Sequence, residues 1–203
     1  MSRTITNKSG KLWSLRFGLA MLACIWLGAS HAQNRDDPDR PGYFDVRSAS
    51  SRLVGGVHTL DARLQLVLSS EALNALSSGV PLTIELQIEV IRVRRFVWDD
   101  AAAELATRYE LEYRPLSQRY IVRNLNSGEQ DSFATLYSAL NSLGRVQGLP
   151  VIDDALLEAD TPYRIRLRVL LNTQQYPAPL RLLFFWRDQW QLESEWFEWL
   201  LER

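Results

Sequence analysis

From residue 33 onward this 203-residue sequence contains no cysteine, no lysine and a single histidine, His58; its one cysteine is Cys24 and its lysines are Lys8 and Lys11. That inventory excludes disulfide scaffolding, Cys-His and Ser-Lys catalysis, Schiff-base chemistry and the usual zinc sites. A Ser-His-Asp triad would have only His58 to build on, and no G-x-S-x-G elbow accompanies it. A glycine-rich phosphate loop is missing as well. Two carboxylate pairs, Asp99-Asp100 and Asp153-Asp154, survive as acid–base candidates. Neighbours on an extended chain point to opposite faces, and both pairs fall where turns or helix starts are expected, so they read as solvated turns or caps. The residues call for no catalytic group, metal or cofactor, and the chain reads as a non-enzyme.

Negative charge is missing from the start of the chain, where no acidic residue precedes Asp36 while Arg3, Lys8, Lys11 and Arg16 supply positive charge. An apolar run from Phe17 to Ala29 follows, and Ser30 and Ala32 are spaced like the small residues before a signal peptidase site. The pattern predicts a removable secretion signal over residues 1–32, Gln33 as the new N-terminus and a periplasmic destination. An uncleaved signal anchoring the chain in the inner membrane is the alternative, although the run falls short of the ~20 apolar residues of a span. The lipobox-like Met21-Leu22-Ala23-Cys24 lies in mid-run rather than at its end, which argues against lipidation.

Four of the 23 basic residues and none of the 24 acidic ones lie in that segment, so residues 33–203 carry a formal charge of −5 with arginine as their only cation. Nucleic acid and anionic lipid are bound through clustered positive charge, so neither suits the domain as a whole, and membrane contact is not indicated. Residues 33–42 hold three aspartates, two prolines and no apolar residue to bury, which predicts a flexible lead-in. The aspartates lack the spacing of a calcium loop. Residues 43–203 suit one domain, and a chain of this size buries roughly 70% of its unfolded surface without disulfides.

Period-two alternation dominates that domain. Leu60, Ala62, Leu64, Leu66 and Leu68 form one apolar row, and Leu82, Ile84, Leu86, Ile88 and Val90 a second. Leu105, Thr107, Tyr109, Leu111 and Tyr113 form a third, and Tyr163, Ile165, Leu167, Val169 and Leu171 a fourth. Each is the signature of a half-buried strand. Weaker alternation marks strands near 44–58, 118–125, 180–187 and 190–197. After Val90 the apolar phase shifts to Ile91 and Val93, which predicts a β-bulge. The wet rows carry Glu85, Glu89, Glu110 and Glu112 against Arg164, Arg166 and Arg168, available for cross-strand pairing worth ~0.2–1 kcal/mol each.

Helical spacing replaces alternation twice. Phe133, Leu136, Tyr137, Leu140 and Leu143 predict a helix within 131–144, capped by Asp131 or Ser132 and stopped by Gly144. A shorter helix is expected over 70–78, before Gly79 and Pro81. Many alternating strands, two short helices and no βαβ rhythm place the chain in the mainly β class, as an antiparallel β-sandwich or open barrel of about eight strands.

Four of the five tryptophans beyond the signal, Trp186, Trp190, Trp196 and Trp199, crowd the C-terminal end with Phe184, Phe185 and Phe197. Trp190, Leu192, Ser194 and Trp196 fall on one strand face and read as core. Trp199 lies off that phase, and Trp199, Phe197 and Trp186 are the residues available for partner contact.

The layout resembles an uncharacterised bacterial family, domain of unknown function 4390. The resemblance rests on Leu68-Ser69-Ser70-Glu71-Ala72-Leu73 with Ser78-Gly79-Val80-Pro81-Leu82, Arg92-Val93-Arg94 leading to Trp98, Tyr120 and the 133–140 segment. Tyr163-Arg164 and the closing Trp190-x-Leu192-x-Ser194-x-Trp196-x-x-Trp199 complete it. It implies an exported domain and supplies no catalytic residues. Together the observations point to a non-enzymatic interaction or scaffold domain whose partner is another envelope protein. A carrier or sensor holding a small apolar ligand between its sheets is the alternative.

Overall fold

The computed structural model describes residues 40–94, 100–173 and 190–202. In chain order these form β1 (Tyr43–Val54), β2 (Val57–Val67), α1 (Ser70–Ser77), β3 (Leu82–Arg92), β4 (Asp100–Arg114) and β5 (Arg119–Asn124). They continue with β6 (Gln130–Phe133), α2 (Leu136–Leu143), β7 (Arg145–Asp153), a 3-10 turn (Asp154–Leu156), β8 (Tyr163–Asn172) and β9 (Phe197–Leu200). All pairing is antiparallel, in a three-stranded sheet β1-β2-β7 and a six-stranded sheet β6-β5-β4-β3-β8-β9, neither of them closed. The mainly β architecture with two short helices is therefore as the alternation demands.

Three of the four apolar rows are buried as their period requires, and the fourth, on β4, buries Leu111 and packs Leu105, Tyr109 and Tyr113 part-exposed against the same core. Leu60, Leu64 and Leu66 of β2 and Leu82, Ile84, Leu86 and Ile88 of β3 join Ile165, Leu167 and Val169 of β8 in one buried cluster. Fully burying such a side chain stabilises by about 1.5–3 kcal/mol, so these rows hold the two sheets face to face. At one margin β1 packs over β8 and β9, and Trp199 of β9 donates its indole N–H to the Ser51 hydroxyl of β1 at 3.1 Å.

Several elements differ from expectation for identifiable reasons. The strand expected over 44–58 is broken at Gly55-Gly56, whose φ angles of 60° and 87° make a two-residue hairpin turn and start β2 at Val57. Asp131, Ser132 and Phe133 belong to β6, so α2 begins later than the stripe suggests; Thr135 caps it, accepting from the Ser138 N–H at 3.1 Å. Tyr137 consequently faces solvent, and Ala139 and Leu143 are the buried helical residues. Gly144 does end the helix, at a φ of −74° that any residue tolerates. Glycine is required there by proximity, since a Cβ would lie 2.5 Å from the Leu64 carbonyl oxygen.

The register shift at Val90-Ile91 is present, but the extra residue is Ala102 on β4, because Val90 pairs with Ala103 and Ile91 with Ala101. Strand β3 itself runs straight against β8, leaving Arg92 on the inward phase, where Glu158 holds it at 2.9 Å. No alternation announces β7, because Gly148 and Pro150 interrupt it; both are tolerated in an edge strand with two register irregularities. Residues 180–187 lie outside the described residues, and the strand expected over 190–197 is replaced by a single bridge, Leu170 to Glu193, followed by β9.

Candidate functional site

Between the Leu170–Glu193 bridge and the Leu167–Phe197 pair, two residues of β8 oppose three of the C-terminal segment, Ser194, Glu195 and Trp196. This bulge reverses the phase. Trp190, Leu192 and Ser194 are buried, but the inward row then passes to Phe197, Trp199 and Leu201, all packed against the core. The shared face expected for Trp190 and Trp196 is therefore corrected. Trp196 turns outward and lies half-buried against the Arg166 and Arg168 guanidinium groups, 4.4 and 4.5 Å from its ring centroid. Trp199 stands half-buried on the core side with Phe197 tilted beside it at 6.1 Å. Trp186 lies outside the described residues. Trp190 is 6% exposed and donates its indole N–H to Glu71 at the start of α1, at 2.9 Å.

His58 points inward from β2 with no exposed surface, its Nε2 2.8 Å from Asp154 Oδ1. Its Nδ1 is buried and has no hydrogen-bond partner among the described residues, so no hydroxyl stands there to complete a triad. The adjacent carboxylates diverge, for Asp153 caps the 3-10 turn through the Ala155 N–H at 2.9 Å while Asp154 meets His58. Asp100 pairs with Arg94 at 3.2 Å near the surface, and Asp99 lies outside the described residues.

Three ion pairs link neighbouring strands on the outer face of the six-stranded sheet. Arg166 reaches Glu89 at 2.6 Å, Arg123 reaches Glu110 at 3.2 Å and Arg164 reaches Glu198 at 3.3 Å. At its centre Glu85, only 3% exposed, accepts from Gln87, Arg108 and Asn172. Burial pushes the Glu85 carboxyl up, but the three hydrogen bonds and the Arg108 charge outweigh it and hold the group below the ordinary value of 4.5.

The outer face of the three-stranded sheet is arranged differently. Ser48 pairs with Arg63 and Arg63 with Arg145, so these residues make one row across all three strands. The row is flanked by two bulges: Arg47 is the extra residue of β1, and Gln147-Gly148 of β7 opposes Asp61, with Gly148 at a φ of 62°. Ser50, Arg52, Asp61 and Gln147 continue the lining of an open polar basin of about 650 Å³. The acid of the basin, Asp61, and nearby Asp45 of β1 are both engaged. Asp45 pairs with Arg47 at 2.9 Å, while Asp61 takes Arg52 on one oxygen and the Gly148 N–H, at 2.9 Å, on the other. Arg63 and Arg145 stand opposite each other, exposed, with no acidic partner among the described residues.

Like charges set directly opposite in a sheet are destabilising. The row leaves no trace in the sequence, because Gly148 and Pro150 mask strand β7, on which Arg145 sits, and its partner lies more than eighty positions away.

A family model described as Domain of unknown function (DUF4390) matches residues 43–200. The chain belongs to this family. The match spans the DUF4390 domain from β1 to the end of β9, so both sheets and the basin lie inside it. No curated protein and no solved structure matches the chain.

Proposed function

We propose that this DUF4390 chain is an exported interaction domain of the bacterial envelope that holds a partner protein against the outer face of its three-stranded sheet. The positively charged start, the short apolar run and the Ser30-x-Ala32 site support export to the periplasm. The observation that carries the interaction reading is the opposition of Arg63 and Arg145. Folding gains nothing from two arginines paired in register with no acidic partner among the described residues, whereas arginine is enriched at protein interfaces and suited to planar recognition of anionic groups.

In-cell photocrosslinking tests this. A photoreactive residue at Ser50, on the rim of the basin, is expected to yield one discrete envelope adduct. The same probe at Glu104, exposed on the outer face of the six-stranded sheet, is not. Capture from Glu104 and none from Ser50 would overturn the assignment of the face. N-terminal sequencing of envelope material is expected to begin at Gln33.

A further inference from the structure

Resting on that reading of the face, we infer that its occupant is an acidic, extended segment of the partner protein, whose carboxylates are taken one each by Arg63 and Arg145. The basin carries two cationic donors and no free carboxylate among the described residues, and its hydroxyls and amide can donate as well as accept. The guanidinium groups of Arg63 and Arg145 and the exposed Ser48, Ser50 and Gln147 line it, while both oxygens of its one acid, Asp61, already accept. With Asp61 neutralised by Arg52, the basin keeps two positive charges, Arg63 and Arg145, in a domain whose residues 33–203 total −5. The charge that complements it is therefore negative, and guanidinium forks bind carboxylates bidentately.

Size points to a chain segment over a single oxyanion. Alternate side chains of an extended segment lie ~6.8 Å apart, a span that flexible glutamate and arginine side chains on strands ~4.8 Å apart can bridge, so one bound segment can engage both arginines. A volume of about 650 Å³ also exceeds what one oxyanion fills and falls in the range of ligands of several residues' bulk.

The test uses the processed chain and a short peptide with glutamate at alternate positions, read by fluorescence anisotropy against its glutamine counterpart. The glutamate peptide is expected to bind and the glutamine peptide not to. The double variant Arg63→Gln/Arg145→Gln is expected to weaken binding at least about tenfold, and added salt to weaken it in the parent. An unchanged melting temperature in the double variant shows that the loss is not unfolding. No binding of the glutamate peptide, or equal binding by the double variant, overturns the inference.

Three further arms assign the face to another occupant and overturn it equally if positive: inorganic phosphate that competes as well as the peptide, phosphatidylglycerol vesicles bound only by the parent, and self-association lost in the double variant. Mass spectrometry of the Ser50 adduct separates this failure from failure of the interaction reading. An adduct through a segment without acidic residues leaves the interaction face standing and removes only the acidic occupant.

Discussion

Trp199 donates its indole N–H to the Ser51 hydroxyl at 3.1 Å, joining the last strand of the six-stranded sheet to the edge strand of the three-stranded one. Trp199→Ala therefore removes both core packing and a link between layers. Truncating a buried aromatic costs ~3–5 kcal/mol; for this half-buried ring the lower figure applies, a fall in melting temperature of roughly 6–12 °C in a domain of this size. Trp199→Phe keeps most of the packing and loses the hydrogen bond, with an expected cost of about 1 kcal/mol. Thermal melts of the two variants check this, and a Trp199→Ala protein melting with the parent would remove the link from the account.

Trp196 is expected to behave oppositely. It stacks on Arg166 and Arg168 outside the core, and two such contacts at a partly wet site are worth about 1–2 kcal/mol together. Trp196→Ala should melt above both Trp190→Ala and Trp199→Ala. If instead it is as damaged as the Trp190 variant, the bulge at Ser194–Trp196 has been misassigned.

This pair of tryptophans marks how far the sequence could be read. Long rows such as Leu82 to Val90 reveal strands because each inward position is apolar, and the two sheets follow from them. A bulge shifts phase without leaving a composition signal when both faces offer aromatics, as at Trp196 and Trp199. Strand β7 was illegible because Gly148 and Pro150 break the alternation that identifies a strand, and Arg145 was lost with it. The family was legible in spaced motifs around Ser69-Ser70-Glu71 and Trp190-x-Leu192-x-Ser194. Structurally these include the α1 cap, where Ser69 Oγ accepts from the Ala72 N–H, and its Glu71 link to Trp190.

Gly144 offers a test of close approach without backbone strain. Its φ of −74° suits alanine, so any cost of Gly144→Ala comes from the Cβ meeting the Leu64 carbonyl oxygen at 2.5 Å. Overpacking of this kind costs about 1–3 kcal/mol. The Leu64 N–H donates to the Gly144 carbonyl at 2.8 Å, so its hydrogen exchange should accelerate in the variant beyond the global loss of stability. Unchanged exchange at Leu64 would contradict the packing argument.

Glu85 predicts an acid-sensitive contribution. Its carboxyl is held below the ordinary 4.5 in the folded chain, so the fold favours its ionised form. The stability this supplies is present above the unfolded value and is lost as pH falls through the lower folded value. Glu85→Gln should therefore be most destabilised relative to the parent near neutral pH, with the gap narrowing below about pH 4.5. Melting temperatures of both proteins across that range decide it, and a constant gap would show that ionisation of Glu85 is not what the cluster stabilises.

The arginine row makes a prediction that separates stability from binding. Two guanidinium groups directly opposite repel, so Arg63→Gln is expected to leave stability unchanged or raise it by ~0.2–1 kcal/mol. Screening supports the same expectation: salt should stabilise the parent more than the variant, since repulsion between exposed charges fades as the Debye length falls to ~10 Å at 0.1 M. Arg63→Glu should stabilise further, by setting a carboxylate opposite Arg145. Both substitutions are nevertheless expected to weaken capture of the partner at Ser50, the charge reversal more. Residues kept for folding do not improve a protein when removed, whereas residues kept for binding commonly lower its stability. A clear loss of melting temperature in Arg63→Gln would place Arg63 among the residues that hold the sheet together and withdraw the like-charge opposition as the mark of a binding face.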